Sequence, residues 1–503
     1  MTDRVLVGLD VGTSGTRALA VDATGRVVAE AGAAYPLLTP RPGWHEQRPD
    51  DWWVGARRVL AEVAAGRQVL GVGLTGQMHG AVFLDAADRS LRPALLWNDQ
   101  RTAAEAAAIT ERVGTARLVE ITGNPAVTGF QAPKVLWLRR HEPHLAERLR
   151  HVLLPKDYVR LQLTGERLTD ASDASGTLLL DLAARDWSDE LLAALDIPRA
   201  LLPGVRESPE QAGRVRAEIA EEIGIAPGTP VAAGAGDNGA AAIGTGVVRR
   251  GVVSSSIGTS GVLFAHTDRL LRDPSGRLHA LCHAVPGAYA LMGVTLAAGA
   301  SLAWWRDRLR EVAPDVDFDG LVELVADAPA GAEGLLFLPY LSGERTPHLD
   351  PRARGAFFGL SAAHGLSHLT RAVMEGVALS LRDCLKLMRE LRLPIEQVRA
   401  IGGGARSEVW RGLQADVYGL PIHRPVVEEG PAYGAALLAG VAAGVYRDVE
   451  EACRVVGVRP EVTAPEPVRT QLYDRAFAIY RSLYASTADA MHALETLAEP
   501  DAR

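Results

Sequence analysis

Lysine is almost missing from this 503-residue chain, which carries only Lys134, Lys156 and Lys386. No Gly-Lys pair occurs, and that excludes a phosphate loop of the GxxxxGK[ST] type. The tripeptides HRD and DFG are absent as well, so the protein-kinase signature set is excluded. Cysteine is scarce. Cys282, Cys384 and Cys453 lie far apart and form no CxxC. A disulfide framework or a cysteine zinc site is not expected, and a reducing cytoplasm is. There is no secretory signal pattern, because the apolar run "VLVGL" stops at Asp10. The uncharged stretch from Leu278 to Trp305 is broken by His279, His283, Pro286 and glycines. It therefore reads as strand, loop and helix rather than a membrane span. The net charge of −8 supplies no attraction for nucleic acid or an anionic membrane. Hydrophobic residues at 48% and charged residues at 23% describe an ordinary soluble globular chain, long enough for two or three domains.

The chain does carry one four-residue turn twice. "LDVGTSGTRALAVDATGRVV" holds Gly12-Thr13-Ser14-Gly15, and "VVSSSIGTSGVLFA" holds Gly258-Thr259-Ser260-Gly261. Each lies between short β-rich runs, so each predicts strand, turn, strand in an antiparallel meander. Dinucleotide and P-loop folds instead lead from such a turn straight into a helix. Gly, Thr and Ser populate turns anywhere. The sharper reading is a duplicated lobe with two backbone cradles for one polyphosphate, in which N–H groups and the hydroxyls of Thr13 and Thr259 meet phosphate oxygens. Asp10 precedes the first turn and is placed to orient a hydrated Mg²⁺. Arg17 follows it and is placed to neutralise a phosphoryl group. Strand-end turns with solvated charges are the plainer account of either copy taken alone.

Helical patterns such as "DDWWVGARRVLAEVAA" follow the first meander, and residues from about Thr102 to Ala226 read as more helical. The Gly/Ala stretch "PVAAGAGDNGAAAIGTG" predicts a division near Val247, giving lobes 1–247 and 248–503. "GAGDNG" matches GxGxxG formally. No acidic residue lies between Asp237 and Asp268, however, and a β-meander is expected next, so a dinucleotide site is discounted. Asp237 is left as a lone carboxylate in an apolar, glycine-lined turn. That suits a turn-former, and equally a general base. "AIGGGARSEVW" reads as a strand, a glycine turn at Gly402 and Gly403, and Ser407 as N-cap of a helix that could face an anion or a flat ring. "GLTGQMHGAVFLD" places Met78 and His79 in a loop between strands, a position for packing or for a ligand.

Together and in this order, the residues resemble the FGGY family of carbohydrate kinases. One family signature reads "GAFFGLSAAHGLSHLTRAVME", Gly355 to Glu375. The other reads "GFQAPKVLWLRRH", with Lys134 and Trp137 in place and Gln131 where the pattern carries Ser, Thr or Pro. "GQMHG", "LWNDQRT", "SDASGT", "GAGDN", "SIGTSG" and "YLSGERTPH" are similar to the members that act on D-xylulose, with Gln100 standing where a smaller residue is expected. The resemblance spans residues 5 to about 484.

What it implies is an α/β fold of two ribonuclease-H-like (actin-like ATPase) domains with a cleft between them, and ATP with Mg²⁺ as cofactors. The implied reaction is phosphorylation of a small sugar, D-xylulose first among L-xylulose, ribulose, gluconate and tetruloses. Met78, His79, Asp237 and Asn238 would contact the sugar, and Asp237 would be the catalytic base. Thr13, Arg17, Gly258, Thr259, Gly402 and Gly403 would bind the nucleotide, and Asp10 the metal. A homodimer is compatible with the resemblance; nucleic-acid and membrane partners are not expected. An actin- or chaperone-like ATP-driven binding protein would explain the two turns but not MHG or GDN. A catalytically dead sugar sensor would be expected to lack Asp237 or one of the turns.

Overall fold

The computed structural model describes residues 3–498. It divides into two compact units. The first runs to Arg249 and includes His266–Ala290 and Glu429–Gly457; the second comprises Arg250–Ala265, Leu291–Glu428 and the chain beyond Val458. Packing therefore assigns two later stretches to the first unit as well as the chain up to residue 249.

In the first unit the strand Asp3–Val11 pairs antiparallel with Gly15–Val21 and parallel with Arg67–Gly76. Gly15–Val21 pairs antiparallel with Val27–Ala34, completing the expected meander. Residues 5 to 9 are all buried, so the strand is covered on both faces and reads as a continuous apolar run rather than an alternating one. The helix Pro49–Ala64, which buries Trp52, Ala56, Val59 and Leu60, packs beside the meander. The helix Gly430–Ala442 packs against Asp3–Val11 and Arg67–Gly76. Its approach is so close that a Cβ at Gly8 or Gly73 would fall on the carbonyl oxygens of Ala432 and Ala435. The run "GPAYGAALLAGVAAGVY" is thus a contact surface for the first unit, made smooth by small residues.

The second unit repeats the pattern. Gly251–Ile257 pairs antiparallel with Gly261–Thr267 and parallel with Ile395–Ile401, which pairs parallel with Ile422–His423. The helices Leu366–Glu390 and Glu408–Tyr418 pack on one another. The expected α/β architecture of two similar ribonuclease-H-like, actin-type units is what the chain adopts. The stretch from Leu278 to Trp305 resolves into the strands His279–Cys282 and Tyr289–Thr295 and the helix Gly299–Leu309, as its breakers predict. Among the described residues no helix is long and apolar enough to cross a membrane.

One local expectation is corrected. Asp237 is not in an open turn before a meander. It is the first residue of the helix Asp237–Thr245, entered directly from the two-residue strand Ala235–Gly236. The segment DNGAAAIGT carries no polar-apolar stripe, so its helical period is invisible in sequence.

Candidate active site

Asp10 is the penultimate residue of the first strand, opposite Arg17 on one side and Thr75 on the other. Its Oδ1 is shielded from water and has no hydrogen-bond partner among the described residues. Burial pushes its carboxyl up to about 7, helped by the negative charges of Asp237 and Glu429 and opposed by Arg17. Arg17 is itself ion-paired to Glu429, so engaging a phosphoryl group would mean opening that pair.

The first GTSG turn closes with the Gly12 N–H on the Gly15 carbonyl at 3.1 Å. Thr13 is held by a polar web. Its hydroxyl accepts Trp97 Nε1 at 3.0 Å and donates to Gln77 Oε1 at 3.3 Å, while its carbonyl accepts Gln47 Nε2 at 2.6 Å. Gln47 Oε1 in turn accepts Gln77 Nε2 at 2.9 Å and Trp52 Nε1 at 3.0 Å. Sequence reasoning gave no role to Gln47 or Trp97. Their contact with Thr13 spans 34 and 84 residues, and the only signal for Trp97 was its place in "LWNDQRT".

Asp237 leads its helix with both Asn238 bonds on one oxygen. Oδ1 accepts the Asn238 N–H at 2.7 Å and Asn238 Nδ2 at 2.8 Å, and among the described residues Oδ2 accepts no hydrogen bond. Burial raises this carboxyl to about 6, and the two Asn238 bonds hold it from going higher. Asn238 Nδ2 also lies 3.9 Å from Met78 Sδ. A Cβ at Gly236 would come within 2.8 Å of Met78 Cγ, so Met78 packs directly on the strand that delivers Asp237. Met78, His79, Asp237 and Asn238 therefore belong to one neighbourhood of the first unit.

His79 has a left-handed backbone, φ 67°, unusual for a residue with a side chain. Three contacts hold it there. Its Nδ1 donates to the Gly176 carbonyl at 2.7 Å, its own carbonyl accepts Lys134 Nζ at 2.8 Å, and its ring lies 4.7 Å from that of Phe130. Lys134 is fully buried and also donates to the Gly129 carbonyl at 2.6 Å. Burial pushes its ammonium down to about 7, against the attraction of Asp99. Gln131, the departure from the signature, is buried and spends its amide on the carbonyls of Gly80 and Leu153 at 2.9 and 3.1 Å. It supports the loop from beneath. Gln100 is exposed and accepts the Thr128 hydroxyl at 2.9 Å. In the other signature, Arg371 and Glu375 pair at 2.7 Å and Glu375 accepts the Tyr473 hydroxyl at 2.7 Å. That signature fastens the C-terminal helix Pro467–Ala498.

The second unit holds a cavity of about 810 Å³. Gly258, Thr259 and Gly403 line it together with Gly299, Trp304, Phe318, Ser407 and Trp410. Gly402 precedes this wall and is not part of the lining. The Thr259 carbonyl accepts the Ala298 and Ala300 N–H groups at 3.0 and 3.1 Å, which fixes the turn. Unlike that of Thr13, the Thr259 hydroxyl makes no hydrogen bond among the described residues. Ser407 caps the helix Glu408–Tyr418, accepting the Trp410 N–H at 3.4 Å as its residue type predicts. Glycine backbone, a helix start and aromatic faces suit a phosphorylated ligand with a flat ring.

The chain matches the FGGY family of carbohydrate kinases, N-terminal domain, over residues 5–244, and C-terminal domain over residues 253–443. It is 39% identical to the xylulose kinase of Lactococcus lactis subsp. lactis (strain IL1403), across 97% of this chain and 98% of that protein. The crystal structure of a xyloylose kinase from Brucella ovis superposes with a TM-score of 0.90 at 41% identity, covering 97% of this chain and all of that one. The gluconate kinase from Lactobacillus acidophilus superposes with a TM-score of 0.92 at 27% identity, covering 96% and 98%.

Proposed function

The chain belongs to the FGGY family of carbohydrate kinases, and from that premise we propose that it transfers the γ-phosphoryl of ATP to the terminal hydroxyl of D-xylulose. The products are ADP and D-xylulose 5-phosphate. One observation carries the reading: Asp237 presents a half-buried carboxylate whose Oδ1 accepts both Asn238 bonds and whose Oδ2 is left to take a proton. Phosphoryl transfer asks a protein mainly for alignment and charge stabilisation. Asp237 takes the proton of the attacking hydroxyl at Oδ2. Met78, His79 and Asn238 orient the sugar, and the 810 Å³ cavity of the second unit receives the nucleotide.

A metal ion fits the residues present. The orphaned, shielded Oδ1 of Asp10 is a carboxylate oxygen in need of a cation. Among the described residues no group of three or more His, Cys, Asp or Glu could hold an ion alone. That suits Mg²⁺, which keeps several waters and takes one or two carboxylates beside substrate phosphates. When bound, it would offset negative charge on the phosphates. The three cysteines are free thiols, in keeping with a cytoplasmic setting.

Two variants separate the roles. Thr259→Val removes a hydroxyl at nearly constant volume and is expected to raise KM for ATP several-fold while KM for D-xylulose stays put. Equal increases in both would mean simple damage to the hairpin. His79→Ala is expected to raise KM for D-xylulose, since stranding a buried hydrogen-bond partner costs about 1–3 kcal/mol, while slow ATP hydrolysis without sugar persists. Wild-type use of D-xylulose by His79→Ala would remove His79 from the sugar site. The function itself is tested by phosphorus NMR of the product. A phosphate ester coupled to the terminal CH₂ protons of the sugar is expected; inorganic phosphate as the only product would contradict it.

A further inference from the structure

Of the motifs read in the sequence, "SDASGT" has no part in the reaction described above, yet it touches both halves of the sugar site. Ser172 is buried, and its Oγ accepts the Gly236 N–H at 3.3 Å. Gly236 is the residue from which the helix of Asp237 starts. Four residues after Ser172, the Gly176 carbonyl accepts His79 Nδ1 at 2.7 Å. A carbonyl can only accept, so this bond puts the ring proton on Nδ1 and sets the tautomer of His79. There is no room for variation at Gly176. A Cβ there would lie 2.5 Å from His79 Nδ1 and 2.7 Å from its Cε1.

The segment between these contacts is firmly anchored. Asp170 caps the short helix Ala171–Ala174, its Oδ2 accepting the Ser172 N–H at 2.9 Å, the Ser172 hydroxyl, and the Ser208 hydroxyl at 2.9 Å. Its other oxygen meets the fully buried Lys156 at 2.8 Å. The Ser172 hydroxyl proton is thereby committed to Asp170, which leaves the oxygen lone pair for Gly236.

We infer that Asp170–Thr177 is a positioning bridge, in which Ser172 sets the strand that delivers Asp237 and Gly176 sets the ring of His79. The inference rests on the roles given to Asp237 and His79 under the proposed function. Neither Ser172 nor Gly176 is a catalytic residue; each acts through its neighbour. The bridge has two arms with separate kinetic consequences. Loosening the first misplaces the base by a fraction of an ångström and lowers kcat, because general-base catalysis depends steeply on alignment. Crowding the second moves a sugar contact and raises KM.

The test is steady-state kinetics of Ser172→Ala and Gly176→Ala at saturating ATP, with ATP affinity by calorimetry and thermal unfolding as checks on folding. Ser172→Ala is expected to lower kcat by about 10- to 100-fold with KM for the sugar within about two-fold. Gly176→Ala is expected to raise that KM by about 10-fold or more with kcat largely kept. Should Ser172→Ala not accumulate as folded protein, Ser172→Cys fills the same space with a weaker acceptor and gives the same split at smaller amplitude. Wild-type kinetics in both alanine variants, or the same parameter moving in both, overturns the bridge. If the wild-type protein does not use D-xylulose, the substrate reading fails on its own, and the same split is then required with the acceptor that it does use.

Discussion

Asp237→Asn is expected to lose about 10²–10⁴-fold in turnover, the usual value of a general base, with affinities for ATP and D-xylulose almost unchanged. Asparagine keeps the shape of the side chain and can still start the helix, but it cannot accept the proton of the attacking hydroxyl. A residue that merely began the helix at Gly236 would tolerate the change well, since Asp and Asn serve such positions alike. The pH dependence separates the two accounts further. The base works only when ionised, and burial raises the Asp237 carboxyl to about 6. Wild-type kcat/KM should therefore fall as the pH drops through about 7 and about 6, where Asp10 and Asp237 titrate, and Asp237→Asn should lose one of these two ionisations and keep that of Asp10. Calorimetric sugar binding beside the turnover measurement completes the test. Near-normal turnover in the variant would return Asp237 to a structural role.

The second large effect concerns folding. Lys156→Met is expected to destabilise the first unit by about 3–5 kcal/mol, the cost of breaking a buried charge cluster by removing one partner. Lys156 Nζ lies 2.6, 2.8 and 3.3 Å from Asp157, Asp170 and Asp173, and all four side chains are fully buried. Arg160, 3.0 Å from Asp157, is the second cation of the cluster. Methionine matches the length of lysine but leaves three carboxylates facing one guanidinium. Burial already holds Asp173 well above its usual range despite the attraction of Lys156.

The sign of the pH effect follows. A carboxylate with a raised folded-state pKa weakens the fold above that pKa and spares it below the unfolded value of about 3.9. Removing Lys156 takes away the attraction that opposes the rise in Asp173. The gap in unfolding temperature between variant and wild type should accordingly be wide near about pH 8 and narrow towards about pH 5. A small, pH-independent gap would show that the cluster is not held by Lys156.

Much of the candidate site was legible in the letters. The two GTSG turns declared themselves by repetition, and Asp237 stood out as a charge in a stretch of glycine and alanine. Met78 and His79 were marked by their loop between strands, and Ser407 by its cap position. What stayed hidden was mostly long-range pairing. Glu429, the partner of Arg17, lies 412 residues away, and no local pattern links the two. The web around Thr13 depends on which way Gln47, Gln77 and Trp97 point once three separate strands and loops converge. Small residues hide contacts as well. In "GPAYGAALLAGVAAGVY" the alanines Ala432 and Ala435 meet the bare backbone of Gly8 and Gly73, and Gly434 lies against Ala240. In "DNGAAAIGT" small residues remove the apolar stripe by which a helix announces itself, so the letters around Asp237 predict a turn where the chain forms a helix.

The most direct test of the account is ADP release by the purified protein with ATP, Mg²⁺ and each of D-xylulose, L-xylulose, D-ribulose, L-ribulose, gluconate, glycerol and erythrulose. Comparison of kcat/KM should place D-xylulose first by about 10-fold or more, the discrimination that a single stranded hydrogen bond provides. Release without sugar should be slow. A higher kcat/KM for another acceptor would contradict D-xylulose as substrate, and ADP release indifferent to every sugar would contradict a sugar kinase altogether.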